Sequence, residues 1–347
     1  MATPRLLIQG GKPTPEAVHF PEVLDLYACL NEGASHTFFT SGTTGPPKPI
    51  VFSAAQMTRS AQWSIQALSL PLGYVGLLAL PLQFVAGKMM VVRAFIAQAD
   101  LWYVAPSLRP FSLSLPHLDF VALTPAQVQA TLGFSEDLTR LREVKVILIG
   151  GGVLSPLAES TLQEFPHQVF HSYGMTETLT HCALRNIAPE RSRVFQPHHP
   201  AITFKEEDGI LSINYPFLTK GFLPTNDVVK VDNGGFIFLG RRDDVINLGG
   251  LKLHPAELEA KLPHELFKNR AWFIAGKEHD TWGQVPWLWI EGSEDFNIVS
   301  ADLQAYLSGK EKVYGFTLVP KFSRTSSGKI QKKATLASKV CKEVSFA

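Results

Sequence analysis

Residues 40–48 read Thr40-Ser41-Gly42-Thr43-Thr44-Gly45-Pro46-Pro47-Lys48 and lie between two short apolar runs. Glycines let the backbone approach a ligand closely, and free N–H groups, hydroxyls and a lysine can surround an anion. The predicted ligand is a triphosphate, although composition alone equally allows a Gly/Thr-rich turn between strands. A Walker A loop is excluded because no G-x-x-x-x-G-K-[ST] string occurs in the chain. The candidate phosphate-binding residues are Thr40, Ser41, Gly42, Thr43, Thr44 and Lys48.

Length and composition indicate an ordinary globular protein. The chain has 347 residues, 45% hydrophobic and 18% charged, which predicts two or three domains with a large core. The formal net charge of +1 gives no support to a nucleic-acid-binding surface. Any anion must therefore be bound by a local site.

The cysteines and the N-terminus predict a cytoplasmic location. Cys29, Cys182 and Cys341 are far apart and form neither a CxxC pair nor a disulfide framework, which favours reduced thiols. Met1–Gly10 lacks the pattern of a signal peptide. The apolar stretch Leu68–Val92 is interrupted by prolines and glycines, so we expect buried strands and turns rather than a membrane helix.

Alternating short apolar strands and helices predict an α/β core up to about Pro200. A β-rich end with hairpin turns follows, and a polar break then leads into a small α+β domain. We place the domains at residues 1–242 and 243–347. The predicted strands are Val75–Leu80, Met89–Val92, Phe120–Leu123, Val144–Ile149, Gln168–His171, Ile210–Asn214, Val228–Val231, Phe236–Leu239, Ala271–Ala275 and Trp287–Ile290. The predicted helices are Pro21–Leu30, Ser53–Leu70, one starting at Thr124-Pro125, Pro156–Glu164, Pro255–Leu262 and Ala301–Leu307.

A second segment, His171-Ser172-Tyr173-Gly174-Met175-Thr176-Glu177-Thr178, leaves a predicted strand, where open α/β sheets bind ligands. A tyrosine offers a flat face to a purine, a threonine can bond a phosphate oxygen, and a glutamate can hold Mg²⁺. Taken singly, Tyr173 could be a half-buried core aromatic and Glu177 a helix-start carboxylate.

The two segments together resemble motifs of the adenylate-forming superfamily, which includes acyl-CoA synthetases, luciferases and peptide-synthetase adenylation domains. Matching motifs run in family order from Thr40 to Lys329. The resemblance implies a large α/β domain, a small mobile C-terminal domain, and the use of ATP, Mg²⁺ and CoA. Relatives carry a longer segment before the phosphate loop, so most of their N-terminal subdomain is expected to be missing here.

The resemblance implies roles for individual residues. Tyr173 would lie against adenine, Thr176 near the α-phosphate, and Glu177 on Mg²⁺. In Thr225-Asn226-Asp227, Asn226 replaces the family glycine, and we expect the turn to survive because asparagine tolerates left-handed φ. The implied nucleotide-binding residues are Gly151, Gly152, Ser172, Tyr173, Gly174, Asp227 and Arg241.

The C-terminal motifs imply mobility. Asp243 matches the hinge residue, and Gly249-Gly250 match a loop beside the pantetheine tunnel for CoA. Lys329, in Thr325-Ser326-Ser327-Gly328-Lys329, matches the lysine of the adenylation step. Read without the family, this last stretch is a basic tail.

The acyl site is implied by Leu80-Pro81-Leu82-Gln83-Phe84-Val85-Ala86-Gly87, where Gln83 and Phe84 stand around the place of the family histidine. Arg93, six residues after Gly87, resembles an arginine of the o-succinylbenzoate–CoA ligases of menaquinone biosynthesis. Their substrate has a second carboxylate, which an arginine could bind as a fork. A solvent-facing arginine at a strand end is the alternative.

The expected partners are a carboxylic acid, ATP and CoA, with neither nucleic acid nor membrane, and a homo-oligomer is compatible with the sequence. Two other functions stay open: another acyl- or aryl-CoA synthetase, or a stand-alone adenylation domain that loads a carrier protein. A binding-only pseudoenzyme is disfavoured by the joint presence of Thr176, Glu177, Asp227, Arg241 and Lys329.

Overall fold

The structure is a computed structural model, and it describes residues 3–40, 48–268, 270–293, 296–324 and 330–346. The mixed α/β fold class predicted from the sequence is confirmed. In the first half of the chain, the strands are β1 (Arg5–Gln9), β2 (Lys12–Pro13), β3 (Ser35–Phe39), β4 (Pro49–Ser53), β5 (Val75–Leu78), β6 (Asp100–Tyr103), β7 (Phe120–Leu123), β8 (Val146–Ile149), β9 (Gln168–Gly174), β10 (His181–Ala188) and β11 (Gln196–Pro197). The helices are α1 (Pro21–Glu32), α2 (Ala54–Ala67), α3 (Val85–Ile96), α4 (Pro125–Leu132), α5 (Ser135–Arg142) and α6 (Pro156–Leu162).

The largest sheet formed by the described strands has the order β11-β10-β9-β8-β7-β5-β6-β1-β2. Its centre, from β6 through β5, β7 and β8 to β9, is parallel, and antiparallel strands flank it on both sides. Parallel strands are buried on both faces and read as continuous apolar runs, which is why β7 and β8 were predictable. The carboxyl ends of β8 and β9 bring the glycine segment after Ile149 beside His171 and Ser172.

Local sequence signals set the helix starts. The Ser53 hydroxyl accepts from the Gln56 backbone N–H at 3.2 Å, and Gln56 returns a bond to the Ser53 backbone at 2.9 Å. Thr124 and Gln127 form the same reciprocal capping box at the start of α4. Such boxes satisfy backbone donors that have no partner within the helix. The helix starts predicted at Ser53 and Thr124-Pro125 are confirmed.

The strand predicted over Met89–Val92 is wrong, because these residues lie in helix α3. The helix packs against α1, α2, β1, β5 and β6, so side chains around its whole circumference are buried. A helix buried on all sides shows no polar stripe, and a short apolar run then does not distinguish helix from strand. The alternative reading of Arg93, a solvent-facing arginine at a strand end, is therefore wrong, because Arg93 lies inside this helix and is buried.

Two further predictions need correction. The only element that the sequence predicts before residue 35 is the helix Pro21–Leu30, but β1 is also present and joins the main sheet by pairing antiparallel with β6. The expected turn at Asn226 is absent, since residues 222–232 form one extended strand and Asn226 is not among the described residues with positive φ. The strand is irregular here instead, because the β13–β14 register shifts between Ile210 and Ser212, so that Thr225–Asp227 lie opposite Leu211.

The β-rich segment and the C-terminal part complete the chain. In the segment, β12 (Thr203–Glu207), β13 (Ile210–Asn214), β14 (Phe222–Asp232) and β15 (Gly235–Arg241) form an antiparallel sheet. In the C-terminal part, β16 (Ile246–Leu248), β17 (Leu251–Leu253), α7 (Pro255–Glu259), β18 (Trp272–His279), β19 (Gly283–Glu291), α8 (Ser300–Gln304), β20 (Gly315–Val319), α9 (Lys332–Leu336) and β21 (Lys342–Ser345) follow.

The C-terminal strands form their own sheet around a separate hydrophobic core that includes Phe273, Trp287 and Phe316. The predicted boundary after residue 242 falls within the 3₁₀ turn Arg242–Asp244, between β15 and β16. Within the part of the chain that the structure describes, no helix has the length and apolarity needed to cross a membrane.

Candidate nucleotide and acyl site

The turn after β8 and the end of β9 pack closely enough to require glycine. A Cβ on Gly150 would lie 2.4 Å from the Ser172 hydroxyl oxygen, and that hydroxyl donates to the Ile149 carbonyl at 3.0 Å. Gly151 has φ of +84°, which favours glycine. The ring of His171 bonds the Gly152 carbonyl through Nε2 at 2.9 Å. These contacts fix a glycine turn along the strand ends.

Tyr173, Asp227 and Arg241 meet at one point. The Tyr173 hydroxyl donates a short hydrogen bond to Asp227 Oδ2, and Arg241 Nε lies 3.3 Å from Asp227 Oδ1. Strand pairing explains the meeting, because Asp227 on β14 is directly opposite Arg241 on β15. Burial and the charge of Asp227 raise the pKa of Tyr173 well above its ordinary value, so the phenol remains a donor. The Tyr173 ring packs edge-on against Phe195 and Phe236.

Thr176 and Glu177 lie half-buried in the 3₁₀ turn Thr176–Thr178 that follows β9. Glu177 forms no ion pair within the described ranges, so its carboxylate is free to bind a cation. No group of three or more metal-ligating side chains occurs in these ranges. A single carboxylate fits Mg²⁺, which usually takes one or two protein oxygens and completes its shell with phosphates and water.

The ends of the phosphate-loop segment are held as a hairpin. The Thr40 backbone N–H donates to the Lys48 carbonyl at 3.0 Å, and the Lys48 N–H donates to the Thr40 hydroxyl at 2.9 Å. These bonds extend the β3–β4 pairing. The predicted site residues Ser41, Gly42, Thr43, Thr44 and Lys329 lie outside the described residues.

The acyl segment turns from β5 into α3. Gln83 is exposed and Phe84 is half-buried just before the helix starts. Gly87 permits a close approach, because a Cβ there would lie 2.3 Å from the Pro81 carbonyl oxygen. The segment therefore folds back on itself and directs α3 into the core.

Arg93 projects from α3 into the interior and is 2% exposed. Its Nη1 lies 3.4 Å from the Ser64 hydroxyl on α2 and 3.4 Å from the Thr180 hydroxyl, and its guanidinium lies over the Phe120 ring. Burial lowers the pKa of Arg93 to about 10, so it stays charged at neutral pH. It forms no ion pair with any described residue, and its Nε has no hydrogen-bond partner among them.

The small C-terminal part carries the remaining predicted residues. Gly249 and Gly250 form the β16–β17 turn with φ of +53° and +88°, and a Cβ on Gly249 would lie 2.9 Å from the Trp282 ring. Asp243 is exposed in the turn before β16, with its carboxylate 3.9 Å from Lys333 Nζ.

The comparisons with known proteins concern the domain that holds most of these residues. The family model for AMP-binding enzymes matches residues 32–201, which include the phosphate loop, Arg93, Tyr173 and Glu177. A 2-succinylbenzoate–CoA ligase from Listeria monocytogenes serotype 4b is 27% identical over 342 residues, which cover 86% of this chain and 69% of that protein. Residues 32–201 therefore match an AMP-binding enzyme domain, and the chain as a whole is similar to AMP-forming acyl-CoA synthetases.

Two solved structures extend the likeness beyond the matched segment. An AMP-forming acyl-CoA synthetase/AMP-acid ligase II-like protein from Dyadobacter fermentans has a TM-score of 0.64 and 28% identity, covering 96% of this chain and 99% of that one. The o-succinylbenzoate coenzyme A synthetase of Bacillus subtilis, solved with its acyl-adenylate intermediate, has a TM-score of 0.73 and 22% identity over 88% of this chain and 69% of that one. At that identity the second likeness concerns the fold alone.

The structure also brings residues to this candidate site that sequence reasoning missed. His171 bonds Gly152 on one side and Arg185 Nη2 at 3.1 Å on the other, and burial followed by the charge of Arg185 lowers its pKa to about 4. Thr180 and His181 follow the Tyr-Gly-x-Thr-Glu motif and approach Arg93. The only signal in the sequence for a role of His181 is its position just after the motif. Nothing in the sequence indicates that it lies near Arg93.

Proposed function

We propose that this chain is an AMP-forming acid–CoA ligase whose acid is 2-succinylbenzoate. The carboxylate would attack the α-phosphorus of ATP to give an acyl-adenylate and pyrophosphate. The thiolate of CoA would then attack the acyl carbon and displace AMP. The match of residues 32–201 to AMP-binding enzymes supports the adenylation chemistry, and relatives named 2-succinylbenzoate–CoA ligase support the acid and the thiol.

The observation that carries the choice of acid is the buried, unpaired charge of Arg93. A charge held in a core without a counter-ion is costly, so such groups are normally paired or act on a ligand. A guanidinium matches a carboxylate through two parallel hydrogen bonds. An acid with a second, non-reacting carboxylate would supply the missing partner, and 2-succinylbenzoate has one.

We also propose which residues contact each part of the nucleotide. Asp227 and Arg241 are proposed to face the ribose, and Tyr173 the adenine. The glycine turn Gly151-Gly152 would lie along the base, next to Ser172 and Gly174 at the end of β9. Thr176 is proposed to bond the α-phosphate. Glu177 would hold Mg²⁺, which would neutralise charge on the phosphates when bound.

The second half-reaction is proposed to use another face of the small domain. The loop at Gly249-Gly250 would flank CoA, whereas Lys329 would act in adenylation. One site can hardly use both at once, so we propose that residues 243–347 rotate about Asp243 between the two steps. Hinges of this kind fall at a few residues between elements. The domain division at residue 242 is part of this proposal.

The cellular setting is proposed to be the cytoplasm. Cys29, Cys182 and Cys341 are all free thiols, as a reducing compartment would keep them. The proposed partners are the carboxylic acid, ATP and CoA, without nucleic acid or membrane.

A screen for pyrophosphate release over a panel of carboxylic acids, with and without CoA, tests the function. We expect 2-succinylbenzoate to give the highest rate, and CoA to be consumed. Preference for a monocarboxylic acid such as benzoate would reject the proposed acid. Activity that ignores free CoA but needs a phosphopantetheinyl protein would favour the carrier-loading alternative.

Replacing Arg93 with alanine should lower kcat/KM for 2-succinylbenzoate by about ten- to a hundredfold. Charge-assisted hydrogen bonds contribute roughly 1.5–3 kcal/mol, and about 1.4 kcal/mol is a factor of ten. The KM for ATP should barely move, and Arg93→Lys should recover only part of the loss because lysine lacks the planar fork. Steady-state kinetics of pyrophosphate release measure both constants.

Arg191→Ala is a matched control, because Arg191 is an exposed arginine paired with Glu164. Arg93→Met should leave the melting temperature unchanged or raise it, since it removes a buried unpaired charge. An unchanged kcat/KM for 2-succinylbenzoate in Arg93→Ala would show that Arg93 does not contact the acid.

A further inference from the structure

The neighbourhood of Arg93 contains several buried polar atoms without partners. Among the described residues, Arg93 Nε, His181 Nε2 and Tyr74 Oη lack any hydrogen bond. The electrostatic influence of Arg93 on both Tyr74 and His181 shows that these groups surround it. Buried polar groups are nearly always hydrogen-bonded, so several unsatisfied atoms around one cation indicate that a ligand completes them.

Thr180 joins Arg93 to His181 through one hydroxyl. Arg93 Nη1 lies 3.4 Å from Thr180 Oγ1, and Thr180 Oγ1 lies 3.3 Å from His181 Nδ1. Because a guanidinium can only donate, the threonine oxygen accepts from Arg93, and we assign the hydroxyl proton to a bond with His181 Nδ1. His181 Nδ1 is then the acceptor, and the ring proton resides on Nε2.

This proton assignment leaves two buried N–H donors without an acceptor, one on Arg93 Nε and one on His181 Nε2. His181 is 5% exposed, and burial, followed by His198 and Arg93, holds its pKa well below the ordinary value. The imidazole is therefore neutral, and it donates without adding a second charge beside Arg93. A carboxylate, with two acceptor oxygens and one negative charge, matches this donor set.

Backbone strain and close packing hold His181 in its position. Leu179 is fully buried with φ of +60°, a conformation rare for bulky residues. His181 itself pairs with Gly174 across β9 and β10, and a Cβ on Gly174 would lie 2.6 Å from His181 Cα. Strain of this kind persists where the surroundings hold it, and it is concentrated at functional sites.

We propose that His181 is a second recognition residue for the acyl substrate, donating from Nε2 to the non-reacting carboxylate that Arg93 also binds. Thr180 is a positioning residue, since it sets the imidazole tautomer. This inference rests on the proposed function and adds to it the residue that distinguishes a dicarboxylic from a monocarboxylic acid.

The test compares 2-succinylbenzoate with 4-oxo-4-phenylbutanoate, which lacks the ring carboxylate. His181→Leu should lower kcat/KM for 2-succinylbenzoate by about tenfold, mainly through KM, in line with one hydrogen bond to a charged group. It should leave the analogue unaffected. His181→Gln should recover most of the loss, because its amide keeps a donor near the position of Nε2.

Melting temperature separates recognition from structural support. Replacing a partly unsatisfied buried imidazole with leucine should leave the melting temperature unchanged or raise it. His199→Leu is the matched control, since that neighbouring imidazole stacks on Trp63. It should change the ratio of kcat/KM between the two acids far less than His181→Leu.

Equal losses on both acids in His181→Leu, or a lower melting temperature with no recovery by glutamine, would overturn the inference while leaving the proposed function intact. A wild-type protein that releases no pyrophosphate with 2-succinylbenzoate would reject the proposed function, and this inference with it.

Discussion

Lys329→Ala is expected to slow acyl-adenylate formation by roughly 10²–10³-fold, the range seen when a preorganised group that stabilises transition-state charge is removed. Lys329 matches the family lysine that meets developing charge at the α-phosphorus. Single-turnover release of pyrophosphate measures this step. Lys339→Ala, which removes an exposed lysine of the same domain, should leave the rate unchanged.

In Lys329→Ala, only the first of the two half-reactions should be slowed. Thioester formation from supplied acyl-adenylate and CoA should stay close to the wild-type rate, because the proposed rotation would present Gly249-Gly250 instead of Lys329. Asp243→Pro should slow the second step more than the first by stiffening the pivot. Equal losses in both steps for Lys329→Ala would argue against domain alternation.

Asp227→Ala should raise the KM for ATP by about two orders of magnitude. Two hydrogen bonds from ribose hydroxyls to a carboxylate, at roughly 1.5–3 kcal/mol each, exceed the ~2.8 kcal/mol that corresponds to a hundredfold change. The variant should also melt at a lower temperature, because the Tyr173 hydroxyl and Arg241 both lose their acceptor. Initial rates at varied ATP and a thermal melt measure the two effects.

Asp232→Ala is the control for this change, since Asp232 ends the same strand at the β14–β15 turn. A large loss of stability with an unchanged KM for ATP would assign Asp227 a structural role alone. In that case the Tyr173–Asp227–Arg241 group would support the β14–β15 hairpin without binding the nucleotide.

Motif residues were predictable because their chemistry is local. The glycine turn, the Tyr-Gly-x-Thr-Glu segment and the hairpin turns at Asp208-Gly209 and Asn233-Gly234 depend on few neighbouring residues, and positive φ values occur at all four of these turn positions. The capped starts of α2 and α4 are local in the same sense. Features that depend only on a few neighbouring residues could therefore be predicted from the sequence.

The errors at α3 and β1 depend on contacts between distant segments. Helix α3 was mistaken for a strand because its burial on all sides is a property of the packed domain. The strand β1 depends on pairing with β6, far along the chain. The link from Arg93 through Thr180 to His181 joins residues separated by 87 positions at its first step, which no sequence pattern marks.

The central claim is that the acid is activated as an acyl-adenylate and then transferred to CoA. Incubation of the protein with 2-succinylbenzoate, MgATP and CoA, followed by phosphorus NMR and mass spectrometry, tests it most directly. We expect AMP and pyrophosphate in equal amounts, together with the 2-succinylbenzoyl thioester of CoA. ADP and orthophosphate as the nucleotide products would contradict it.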